Sequence, residues 1–123
     1  MSSTTRTRSD TLMALREALR DFAAARAWDQ FHSPKNLAIA LSVEAAELLE
    51  HFQWISEDNS ARLSPEALAK VREELADVLL YLIRLADKLN VDLGAAARDK
   101  ITLNALKYPI EKARGTAKKY TDL

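Results

Sequence analysis

Two glutamates stand where a folded helix least tolerates them. In LAIALSVEAAELLEHFQW (Leu37 to Trp54), Leu37, Ala40, Leu41, Glu44, Leu48 and His51 recur in steps of three and four, with Glu47 beside them. A helix advances about 100° per residue, so these positions share one face. The face opens apolar and carries Glu44 and Glu47 in its middle. Carboxylates are rarely buried unless paired or bound to a metal. The same oddity recurs between Glu66 and Leu89. There Leu68, Val71, Leu75, Val78, Leu82, Leu85 and Leu89 form an inward seam. Glu74 and Asp77 lie on its flank at i, i+3, while Glu73 points to water. If the two helices pack together, four carboxylates meet, and such a group repels itself unless cations neutralise it.

The kind of cation follows from the donors. The chain has no cysteine and two histidines, His32 and His51. A di-iron carboxylate bundle needs Glu-x-x-His pairs. Here His51 follows Glu47 by four, and the later acidic helix has no histidine. Iron and zinc are therefore disfavoured, and an all-oxygen site for Mg²⁺, with Mn²⁺ as its substitute, is expected. The only glycines are Gly94 and Gly115, so no glycine-rich phosphate loop exists. A nucleotide would have to be held by metal and side chains rather than by backbone N–H groups, which excludes P-loop and Rossmann chemistry.

At 123 residues the chain fits one domain, residues 1–123, with 48% hydrophobic residues and only three prolines, a composition that favours helix. Lysine plus arginine and aspartate plus glutamate number 18 each, which gives no electrostatic case for nucleic acid or an acidic membrane. Residues 1–9 read as a frayed start and not as a secretory signal, because they lack an apolar stretch. Without cysteines, signals or a membrane-length apolar run, the cytoplasm is the expected compartment.

Local signals divide the rest into four helices. Ser9 or Asp10 can cap the first, which runs to about Trp28 and buries Leu12, Leu15, Leu19 and Phe22. Its charges Arg16, Glu17, Arg20, Asp21 and Arg26 read as solvated. Ser33 caps the second helix, with Pro34 at the first position, where a missing N–H costs nothing. That helix ends near Trp54 or Ile55, and Ser56 to Leu63 is a loop. Ser64-Pro65-Glu66 opens the third helix. Asp92 caps the fourth, which stops before Pro109 because the residue ahead of a proline disfavours helix. Residues 110–123 form an extended basic tail. The expected fold is an all-α four-helix bundle. The second helix is apolar nearly all round, since Ile39, Val43, Ala46, Leu49 and Phe52 lie off its core stripe. A helix like that is covered on several sides, so a homo-oligomer is expected, a dimer or a dimer of dimers.

The remaining candidates each have a plain reading. His32 and His51, taken alone, read as hydrogen-bonded structural residues. Trp28, Phe31 and Trp54 read first as packing, and second as stacking platforms for a planar base. Tyr81 follows Asp77 by one turn and faces the same side. Lys100, Asn104 and Tyr108 share one face of the fourth helix, where they are either exposed or placed to meet phosphate and sugar. Lys118 and Lys119 read as solvated charge, or as a basic tail able to close over an anion.

The stretches FHSPKNLAIALSVEAAELLEHFQW, EELADVLLYLIRLADKLNVDL, KITLNALKYP and KYTDL resemble the MazG-like all-α nucleoside triphosphate pyrophosphohydrolases, and among these the dCTP pyrophosphatase branch. The resemblance covers nearly everything from Trp28 to Leu123. It implies hydrolysis of a nucleoside triphosphate between the α and β phosphates, to the monophosphate and pyrophosphate. It also implies Mg²⁺ and an oligomer of helical bundles. On this sequence Glu44, Glu47, Glu74 and Asp77 would be the metal ligands. Trp28, His32, Trp54 and Tyr81 would surround the base and sugar. Lys100, Asn104 and Tyr108 would hold the sugar–phosphate part. The proton of the attacking water would pass to Glu44 or Glu47. The rival expectations are a different base, the phosphoribosyl-ATP substrate of histidine synthesis, or a non-catalytic helical module that binds a nucleotide or a partner helix. Such a module would have no need of inward Glu44 and Asp77.

Overall fold

The computed structural model describes residues 3–123, with side chains from Thr11 onward. Met1 and Ser2 of the expected frayed start lie outside the described residues. Six α-helices follow one another: α1 (Ser3–Ala25), α2 (Pro34–Glu50), α3 (Glu57–Ser60), α4 (Pro65–Lys88), α5 (Leu93–Lys107) and α6 (Ile110–Ala113). Among the described residues there is no strand, so the all-α class holds. No helix among them is long and apolar enough to cross a membrane.

The starts of the long helices are written locally. The Ser33 hydroxyl accepts from the Asn36 N–H at 3.1 Å, and the Ser64 hydroxyl accepts from Ala67 at 3.1 Å. Each is followed by proline at the first helical position. The Asp92 carboxylate accepts from Ala95 at 3.0 Å and opens α5. Each cap satisfies an N–H that the helix leaves unpaired. Two helices end on left-handed residues, Ala27 (φ 54°) and Asn90 (φ 56°). In both, the following N–H reaches back over the turn: Trp28 to the Ala23 carbonyl and Val91 to the Ala86 carbonyl, each at 2.9 Å. This six-to-one closure is how a helix end satisfies its last carbonyls.

Four expected boundaries change. Helix α1 begins at Ser3, running through the expected caps Ser9 and Asp10, because neither proline nor glycine interrupts it, and it stops at Ala25. Helix α2 ends at Glu50; His51 to Trp54 continue as hydrogen-bonded turns. The expected loop holds the one-turn helix α3, because Ser56 accepts from the Asn59 N–H at 3.1 Å as a third serine cap. The expected extended tail holds α6 and a 3-10 turn at Tyr120–Asp122. Tyr120 packs edge-on against Tyr108, ring centres 6.0 Å apart, and the Lys107 ammonium lies 5.0 Å from the Tyr120 ring centre. These contacts fold the tail back.

The chain packs as two compact units, Met1–Val91 and Asp92–Leu123. The first holds three of the four long helices, with α4 packed on both α2 and α1. Its buried hydrophobics are Ala23, Leu37, Val71, Ile83 and Ala86. The expected face of α2 turns inward as a set: Leu37 is buried, and Ala40, Leu41, Glu44, Glu47, Leu48 and His51 are half-buried. On its opposite face Ile39 and Val43 stay 53% and 51% exposed. The α4 seam is only partly inward. Val71 is buried, but Leu68, Leu75 and Leu89 remain more than half exposed. On α1, Leu12, Leu15 and Leu19 are half-buried, Phe22 is exposed, and the small Ala23 is buried. The second unit is α5, α6 and the C-terminal turn, with Ile101, Leu103 and Leu106 exposed.

Candidate active site

Three of the four expected acids converge. Glu44 from α2 and Glu74 and Asp77 from α4 each offer a carboxylate oxygen, and these oxygens all lie within 4.8 Å of one another. The α2–α4 contact brings them together, so the cluster is built by the same packing that buries Leu37 and Val71. Glu44 Oε2 and Glu74 Oε2 are shut off from water and have no hydrogen-bond partner. A buried polar atom without a partner costs about 1–3 kcal/mol, more when charged, so two side by side need an external partner. Burial pushes the Glu44 carboxyl up to about 7, with further contributions from Glu47, Glu74 and the charge of Asp77. Glu47 stands outside the three-oxygen group, half-buried on the same face of α2. An all-oxygen set with unpaired, water-free lone pairs fits a hard divalent cation.

Beside the cluster lies a cavity of about 420 Å³. Asp77 belongs to both. Trp28, His32 and Tyr81 line this cavity with it, while Leu15, Leu19 and Phe22 close the α1 side. Trp28 packs edge-on against Phe22 at 5.5 Å and against His32 at 6.1 Å between ring centres, which fixes its plane. The wall is aromatic and aliphatic, with few polar groups, as suits a planar organic ring. Three of the four residues expected around a base are thus gathered. The fourth, Trp54, is 86% exposed and lies outside the cavity. Lys100, Asn104 and Tyr108 sit on α5 in the second unit, all exposed. Among the other residues weighed from the sequence, His51 is the C-cap of α2, Phe31 is exposed, and Lys118 and Lys119 are exposed.

One lining residue was not anticipated. Arg84 is 5% exposed and donates from Nε to His32 Nδ1 at 3.1 Å and from Nη2 to Asp29. Lys88 Nζ also meets Asp29, at 3.0 Å, and these two donors, Lys88 first, hold the Asp29 carboxyl below its usual range. Asp87, 3.8 Å from Arg84, is gripped by Arg20 from α1 at 2.7 and 2.5 Å, a two-pronged bond that lowers the Asp87 carboxyl. Arg20 is therefore no simple solvated charge. The signal for Arg84 was present: it follows Asp77 by seven and Tyr81 by three, so all three share one stripe of α4.

Comparison with known proteins gives the family. The MazG-like family model matches residues 39–123. The chain is 46% identical to dCTP pyrophosphatase 1 of Rattus norvegicus over 115 residues, 92% of this chain and 68% of that protein. It is 44% identical to dCTP pyrophosphatase 1 of Homo sapiens over the same shares. A crystal structure of a pyrophosphatase from Archaeoglobus fulgidus superposes with a TM-score of 0.76 at 41% identity, covering 80% of this chain and 93% of that one. With more than half of its length matched and Glu44, Glu47, Glu74 and Asp77 inside the match, the chain belongs to the MazG-like family of all-α pyrophosphohydrolases.

Proposed function

We propose that the chain, acting as one domain over residues 1–123, hydrolyses a nucleoside triphosphate to the monophosphate and pyrophosphate with Mg²⁺, and that dCTP or a modified dCTP is its preferred substrate. The observation that carries this reading is the pair of unpartnered, water-free oxygens on Glu44 and Glu74, grouped with Asp77, which also lines an aromatic cavity. The preference for dCTP rests on the likeness to the dCTP pyrophosphatases.

Glu44, Glu74 and Asp77, with Glu47 beside them, would hold the cation. Bound there, it supplies neutralisation of the triphosphate charge as the bond between the α and β phosphates breaks. Glu47, outside the three-oxygen group, is the acid left to accept a proton from the attacking water, with Glu44 as the other choice. Trp28, Tyr81 and His32 orient the base and sugar, and Leu15, Leu19 and Phe22 keep water from that end of the ligand. Trp54 is assigned to the base as well, and Lys100, Asn104 and Tyr108 to the sugar–phosphate part. The working form is a homo-oligomer, since Ile39, Val43, Leu49, Leu68 and Leu75 leave apolar area that a single chain does not cover.

A pyrophosphate-release assay over a panel of dNTPs and NTPs, with Mg²⁺ and then with a chelator, tests the reading. Release that requires the metal and is fastest with a cytosine base is expected. Metal-dependent nucleotide binding with no release would leave only a binding module. Glu47→Gln and Asp77→Asn each abolish turnover while the helical circular dichroism stays intact; turnover retained in either variant refutes its assignment.

A further inference from the structure

We propose that Arg84 is a positioning residue that holds His32 neutral, with its proton on Nε2, so that the cavity offers its ligand one fixed N–H donor. The inference rests on the nucleotide reading above for what the donor meets, but not for whether the lock exists.

An arginine guanidinium has five N–H donors, no acceptor, and never loses its charge in a protein. Its Nε–H points at His32 Nδ1 from 3.1 Å. That nitrogen must therefore be the bare, accepting one. The imidazolium carries a proton on both nitrogens, and the other neutral tautomer carries one on Nδ1, so each would set N–H against N–H. Only the Nε2–H tautomer makes the bond. Burial lowers the affinity of His32 for a second proton, and the charge of Arg84 lowers it further.

Arg84 is itself held in place. Its Nη2 donates to Asp29, Lys88 grips the same carboxylate, and Asp87 stands 3.8 Å from Nη1. Asp29 and His32 flank one 3-10 turn, Asp29–Phe31, so a single arginine ties both ends of that turn to α4. The charged groups around the ring are Arg84 and Lys88 of α4 and Asp29 of the connector; Asp77 and Tyr81 share its cavity wall. With Nδ1 occupied, Nε2 is the ring nitrogen left for a ligand. It presents a donor, so its complement on the ligand is an acceptor: a ring carbonyl or an unprotonated ring nitrogen of the base. An amino group at that place would be rejected, because two donors would face each other.

The test reads the ring directly. In ¹⁵N-labelled protein without ligand, long-range proton–nitrogen spectra of His32 should show an unprotonated Nδ1 and a protonated Nε2, unchanged from pH 8 down to pH 5.5. In Arg84→Met the same ring should titrate near the ordinary histidine value, about 6.5, and mix tautomers. Should that variant misfold, Asp29→Asn keeps the arginine but loosens its anchor, and a partial shift the same way is expected. A His32 ring already protonated on Nδ1 in the wild type, or unmoved in the variants, overturns the proposal. On an active substrate, Arg84→Met should raise KM about tenfold, the worth of one hydrogen bond to a buried partner, with kcat changed less than about threefold. Arg84→Lys should restore part of that loss, and in a His32→Ala background the Arg84 change should add almost nothing. Full additivity would make Arg84 merely structural. If no nucleotide is hydrolysed, the spectra still decide the lock; if hydrolysis is found and the spectra do not move, only the role of Arg84 falls.

Discussion

On the proposed reading a proton and a metal ion would compete for Glu44. Its carboxyl is pushed up to about 7 by burial and by the neighbouring acids, so the folded chain without metal keeps a proton there that the unfolded chain releases near the usual 4.5. The sign follows: between about pH 4.5 and 7 the native state binds more protons, so this group makes metal-free protein less stable as pH rises through that window. Cation binding reverses the preference, because the ligand must be deprotonated. Chelator-treated protein should melt at a lower temperature at pH 7.5 than at pH 5.5, relative to Glu44→Gln, which lacks the titration. At pH 7.5 Mg²⁺ at 100 times its Kd should stabilise the wild type by about 2.7 kcal/mol and leave Glu44→Gln nearly unmoved. Parallel melting curves for the two proteins at every pH, by differential scanning calorimetry, would remove Glu44 from the site. The sequence made this residue legible, because a carboxylate on an apolar stripe is visible in the 3.6-residue period alone. Arg84 was not read so, since its burial depends on His32 and Asp29, 52 and 55 positions away.

Helix ends show the same division between near and far. Ser33, Ser64 and Asp92 were readable as caps because each bond closes over three residues. The α1 end was not, because it turns on Ala27, a residue with no sequence preference for the left-handed conformation it adopts. For a residue with a Cβ that conformation costs about 1–2 kcal/mol. Ala27→Gly should therefore stabilise the chain by about 0.5–1 kcal/mol, after the extra freedom of glycine in the unfolded chain is subtracted, and raise the melting temperature by a few degrees. A lower melting temperature would mean that the Ala27 methyl makes a packing contact worth more than its strain. Asn90, the counterpart at the end of α4, is already among the residues that tolerate this geometry, and no comparable gain is expected there.

For the whole molecule, what stands out is how little of the apolar surface one chain hides. Among the described residues Leu37 is the one large side chain fully buried, while Ile39, Val43, Leu49, Leu68 and Leu75 are each more than half exposed. The sequence pointed this way, since α2 is apolar on the face opposite Glu44 as well as on its own. It could not say where the second unit would begin, because Asn90 and Asp92 read only as a helix stop and start. Light scattering at micromolar concentration should give a mass at least twice the 13.8 kDa of one chain. If the exposed face of α2 that carries Val43 is the contact, Val43→Glu should reduce that mass, since a charge buried there would be left unpaired. A monomer in the wild type would contradict the oligomer.

Trp54 stands 86% exposed, whereas Trp28 lines the cavity, and the chain has no other indole. The protein thus carries two natural fluorophores with unlike surroundings. Trp28 is itself 41% exposed, so acrylamide should quench both components in the free chain, that of Trp54 the more strongly. Any event that lays a base or a neighbouring subunit over Trp54 should shield the first component and move its emission to the blue, a change visible without a label and before any bond is broken.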